Sequence, residues 1–199
     1  MKNHGILLLL FLFFCSSVYA QEQTETAIFF KETRKYNNRG MLVLGSWAVA
    51  NIGLGINGMR NTSGSDYHFH QMNFAWNFVN LSLASYGLIS DRFKDYSNYN
   101  DQELMKAHKK IERVFLINSF LDVVYISVGY GMTRLEETPW GDIDVFKGFG
   151  NALILQGGFL LLFDIAMYGL QHSRRKKFIN SMPIKFSFGV NSVGIRMNF

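Results

Sequence analysis

The chain has 199 residues, 48% apolar and only 18% charged, with a formal net charge of +5. Charged residues average about 25% in soluble domains, so this is an apolar chain of single-domain length. Its basic residues gather beside apolar runs without interleaved aromatics, which argues against a nucleic-acid surface, and a single cysteine, Cys15, rules out an intrachain disulfide.

Met1 to Ala20 reads as a secretory signal cleaved before Gln21: Lys2, then ILLLLFLFFC, then SSVYA. An uncleaved short anchor is the rival reading. Phe14 stands where a lipoprotein site needs a small residue before Cys15, so lipid attachment is rejected. Residues 21–39 form a polar lead-in, residues 40–178 the membrane bundle, and residues 179–199 a tail whose alternation predicts a β-hairpin about Asn191-Ser192.

Gly40 to Met59 is a charge-free run between Arg39 and Arg60, with Gly45, Gly53 and Gly55 permitting close helix approach. A turn-rich loop leads to Phe69–Arg92, where His70, Asn73, Asn77 and Asn80 recur at spacings of three and four and so share one helix face. In a lipid-embedded helix that stripe must face other helices. Asp91 to Arg113 is a charged connector with an amphipathic helix from about Asp101. Val114 to Thr133 and Phe149 to Gln171 supply the third and fourth spans. Ala84-Ser-Tyr-Gly-Leu and Ala166-Met-Tyr-Gly-Leu close the second and fourth spans, which suggests two helix pairs in tandem. The expected fold is therefore an all-α, four-helix transmembrane bundle with a short C-terminal β-like tail. A β-barrel would need alternation throughout, and only about the last fifteen residues alternate.

Sixteen Lys and Arg fall in segments 21–39, 91–113 and 171–199, against three in the two opposite loops. The positive-inside rule makes that basic side cytoplasmic, whereas a cleaved signal places Gln21 outside, so the two topology signals conflict.

The only charged residues inside the four spans are Asp122 and Asp164. Counted from Arg113 and Arg174 at about 1.5 Å per residue, both lie roughly 14 Å deep, level with Asn51 and Asn80. Two readings stay open: Asp122, Asp164, Asn51, Asn73, Asn77 and Asn80 glue the bundle, or the carboxylates serve a ligand, an ion or a proton. His68 and His70, with Glu136 and Glu137 in the facing acidic loop, are weak candidates for a metal, because no tight ligand pair at i, i+4 accompanies them. His70 reads better as an interfacial cap, and Trp47, Trp76 and Trp140 as packing or interface anchors. No nucleophile elbow, phosphate loop or zinc-protease helix occurs, so enzyme activity has no positive support in the sequence and no cofactor is expected.

The runs GMLVLGSWAVANIGLG at Gly40–Gly55 and FHQMNFAWNFVNLSLA at Phe69–Ala84 resemble a family of uncharacterised bacterial four-helix membrane proteins, a domain of unknown function. The resemblance covers most of the chain after residue 20 and implies a signal-like start and a helical bundle, with no activity, ligand or catalytic residue attached. The expectation is a non-enzymatic structural or binding bundle in a bacterial cell membrane, inner rather than outer. Its partners would be membrane lipid and a second copy through the glycine-rich faces. A small transporter or channel subunit using Asp122 and Asp164 is the alternative, and a metal-dependent membrane enzyme the next.

Overall fold

The apolar runs are each too long to end inside a single lipid layer, and in a computed structural model of the chain each lies within a longer helix. The elements are α1 (His4–Asn61), α2 (Gly64–Phe93), α3 (Asp101–Thr133) and α4 (Ile143–Ser181), then β1 (Ile184–Gly189) and β2 (Ser192–Met197). The structure describes side chains for residues 25–182 except Thr138 and Trp140, and backbone alone for residues 4–24 and the two strands. The expected anchor Trp140 and the side chain of Cys15 thus lie outside the described residues. The strands pair antiparallel, Ile184 opposite Met197 and Gly189 opposite Ser192.

Local chemistry sets the helix starts. Asn100 caps α3 through a reciprocal pair: its side chain accepts from Glu103 N at 3.0 Å, and its own N–H donates to Glu103 Oε2 at 2.9 Å. Asp142 caps α4 by accepting from Asp144 N at 2.9 Å. Gly64 opens α2 at φ +59°, a conformation that favours glycine, so two residues suffice to reverse the chain after α1.

Two boundaries differ from the sequence reading. Residues 25–39, expected as a polar lead-in, are continuous helix, and Thr26, Phe29, Phe30 and Thr33 are buried. The amphipathic helix from Asp101 and the third span are a single helix of 33 residues. At 1.5 Å per residue it is about 50 Å long, more than the roughly 30 Å of a hydrocarbon core, so its basic N-terminal part extends past the apolar stretch.

Helix α1 packs on α2, α3 on α4, and α2 on α4, with narrower contact between α1 and α3. Helices α1, α3 and α4 are long and apolar enough to cross a membrane; α2 is not among them, because asparagine occupies its inward stripe. The two Ala-x-Tyr-Gly-Leu motifs do not present equivalent faces, since Ala84 is buried and Ala166 exposed.

Burial is inverted relative to a water-soluble bundle. Among the described residues, twelve polar or charged side chains are buried against ten hydrophobic ones, while Leu42, Leu54, Phe78, Phe120 and Leu162 are exposed. An apolar exterior around a small, polar interior is the arrangement a lipid solvent selects.

Glycine sets the closest crossing. A Cβ on Gly150 would stand 2.7 Å from Gly129 O and 2.9 Å from Thr133 Cγ2, so α3 and α4 meet backbone to backbone there. Gly150→Val is expected to force these helices apart at a cost of about 1–3 kcal/mol. Thermal unfolding in detergent should show a clearly lowered midpoint for that variant and little change for Gly158→Ala, whose Cβ meets nothing within 4 Å.

Candidate functional site

The asparagine stripe of α2 does turn inward: Asn73, Asn77 and Asn80 are all buried. It meets polar groups from both neighbours. Asn73 Nδ2 donates to Asn51 Oδ1 on α1 at 3.1 Å, and Asn73 Oδ1 accepts from Gln156 Nε2 on α4. Gln156 Oε1 accepts from Trp47 Nε1 at 3.0 Å, and Asn51 Nδ2 donates to Trp47 O at 2.9 Å, which closes a ring over three helices. Asn77 Nδ2 donates to Asn73 O at 2.8 Å, and Asn80 Nδ2 reaches Asn77 Oδ1 at 3.4 Å. Trp47 also stacks on Phe159 of α4, ring centroids 3.9 Å apart. This network satisfies itself, so its members are pinned.

The expected layer of Asn51, Asn80, Asp122 and Asp164 therefore divides in two. Asn51 bonds to Asn73, seven residues or about 10 Å along α2 from Asn80. Asp122 and Asp164 instead face each other within hydrogen-bonding reach, α3 to α4. Both are buried, and no amide, hydroxyl or ring hydrogen bond reaches Asp122 Oδ2.

Asp122, Asp164 and Asn80 also line a cavity of about 600 Å³ that reaches Lys94, Tyr96 and Lys110 at the basic end of the bundle. Its walls come from α1 at Met41 and Leu44, α2 at Trp76 and Leu83, α3 at Phe115 and Tyr125, and α4 at Leu160 and Phe163. The volume and mixed lining match a small-molecule site, apolar walls with a few convergent polar groups.

A second polar cluster, absent from the sequence reading, ties the basic ends together. Glu112 of α3 accepts from Arg175 Nε at 2.7 Å and Arg175 Nη2 at 3.0 Å, and lies 2.5 Å from His172 Nδ1. His108, one turn earlier, meets Thr33 Oγ1 of α1 at 3.0 Å, and Gln171 Nε2 donates to Thr33 O at 3.4 Å. The i, i+4 spacing of His108 and Glu112 was the available signal.

The metal candidates are not brought together. His68 Nδ1 pairs with Gln71 Oε1 at 3.1 Å, the His70 ring packs against Gly58, and Glu136 and Glu137 are exposed. Among the described residues no three His, Cys, Asp or Glu converge as a metal site.

Beyond the apolar part of α2, Asp91 accepts from Arg34 Nε at 2.7 Å and Asn38 Nδ2 at 2.8 Å. Burial pushes the Asp91 carboxyl up, but these hydrogen bonds and the Arg34 and Lys94 charges outweigh it and hold the pKa below the ordinary value. A lowered folded-state pKa stabilises fully above the unfolded value of about 3.9, and the gain is lost as pH falls through the folded value. Asp91→Asn should thus lower the unfolding midpoint at pH 7 and flatten its decline between about pH 5 and pH 2, read by thermal unfolding across that range. Asn73→Ala should cost about 1–3 kcal/mol, because Gln156 and Asn51 would be left buried with an unmet donor and acceptor. Unfolding of that variant in detergent checks it against Ser82→Ala, which removes an exposed hydroxyl.

No curated protein and no solved structure matches the chain. A family of unknown function, DUF6992, matches residues 43–165, from the middle of α1 through the Asp164 turn of α4, and so takes in the asparagine network and both carboxyls. The chain belongs to that family.

Proposed function

We propose that this is an integral membrane bundle of four spans, with α2 as the fourth, whose cavity binds a small molecule at Asp122 and Asp164. The outward face of α2 supports the span, because Phe78 and Ile89 are exposed apolar residues opposite the asparagines. The observation that carries the binding reading is a fully buried carboxylate oxygen, Asp122 Oδ2, without a hydrogen-bond donor on the wall of a roomy cavity.

The test is occupancy of the cavity by a neutral apolar fluorophore, 1-naphthylphenylamine, in nanodiscs carrying the full chain. Energy transfer from tryptophan should saturate at one probe per chain above empty nanodiscs. Asn118→Trp, which fills the cavity from α3, should abolish it. Saturation that survives this plug, or none at all, defeats the reading. Transport of the bound molecule is the second reading, favoured by the carboxyls sitting mid-helix, away from the basic end and from the loop end. Reconstituted in liposomes, it should give pH-dependent flux that Asp122→Asn with Asp164→Asn abolishes.

We read residues 1–20 as a cleaved signal. The purified protein should then have an intact mass below the 22.9 kDa of the whole chain, and recovery of that full mass would show an anchor instead.

A further inference from the structure

The chemistry of the same cavity points to its ligand: we infer that it takes a lipophilic organic cation, an ammonium or phosphonium centre carried in an apolar, aromatic shell. The inference rests on the cavity-binding reading above and adds the sign of the ligand's charge. Asp122 and Asp164 are buried and line the cavity together, so a ligand of opposite charge would let a carboxylate stand ionised deep in the bundle. No Lys or Arg occurs in residues 40–59, 69–91, 114–133 or 149–171 to neutralise it. The cavity's nearest cation on α3, Lys110, stands twelve residues before Asp122, about 18 Å along the helix.

A buried charge without a partner is expensive, so the site favours a ligand that brings the opposite charge. The walls suit such a cation. Trp76 and Tyr125 meet edge to face at 4.8 Å, and Phe115 and Phe163 at 6.1 Å, all four lining the cavity. Aromatic faces attract a weakly hydrated cation, and the apolar area shelters its substituents. A bare metal ion fits less well: among the described residues no third acidic or imidazole ligand joins the pair, and the space far exceeds one coordination sphere. An organic anion would gain no partner from two carboxyls, which offer it no positive charge.

The experiment uses the same nanodiscs and displaces 1-naphthylphenylamine with tetraphenylphosphonium or with its anionic isostere, tetraphenylborate. Tetraphenylphosphonium should displace the probe and tetraphenylborate should not. Asp122→Asn with Asp164→Asn should weaken displacement about tenfold or more, as losing a buried charge partner does. Asp164→Glu, which keeps the charge, should retain it. The double variant is titrated first with the probe alone, so that displacement is corrected for its own probe affinity, and a thermal unfolding midpoint close to that of the unmodified chain shows that its bundle is intact. Equal displacement by the two isosteres, or no effect of the double substitution, overturns the cationic ligand and leaves the cavity reading standing. Failure of the probe itself to bind the unmodified chain overturns both.

Discussion

Everything inside this bundle depends on one constraint: a polar group facing away from lipid must find its partner on another helix. Water cannot satisfy it there, and the side chains on the outer face are hydrocarbon. The ring from Trp47 and Asn51 through Asn73 to Gln156 meets that demand for α1, α2 and α4 together. Because an amide both donates and accepts, each asparagine passes the demand to the next. The stripe thereby fixes rotation as well as contact: turning α2 by 100° would expose Asn73 and Asn77 and bury Phe78 in their place.

Much of this was legible beforehand. The asparagine spacing announced an inward face, and the charge-free runs announced their helices, because a period of 3.6 and a length near twenty residues are properties of the chain itself. The level of each residue was not legible. Counting from arginines assumed that all four helices meet the basic side at one height, yet α3 begins at Asp101 and α1 is already packed at Thr26. That offset is why Asn51 joins Asn73 while Asp122 joins Asp164. The α2 hydropathy is the converse case. A stripe that makes the helix indispensable to the interior also lowers its average below that of a span.

The basic-end cluster escaped notice for a different reason. His108, Glu112, His172 and Arg175 sit in stretches rich in exposed Lys and Arg, where a charge run ordinarily means a solvated face. Which of those charges turn inward depends on where α1 and α4 approach α3, and that is a tertiary fact. Thr33 illustrates it. As a lone hydroxyl in a polar segment it carries no signal, yet it meets His108 and offers its carbonyl to Gln171.

The two polar ties also account for the cavity between them. Toward the loop end, the amide ring and the Gly129–Gly150 crossing draw α2, α4 and α3 into close contact. At the basic end, Thr33, His108, Glu112 and Arg175 bind α1, α3 and α4. Between these levels, among the described residues, α1 and α2 have no polar tie to α3, and the large side chains of Trp76, Phe115 and Tyr125 line the space that remains. Filling the gap with smaller, better-packed residues would gain dispersion energy. The bundle keeps the space, and places at its wall the two carboxyls that, among the described residues, no asparagine satisfies.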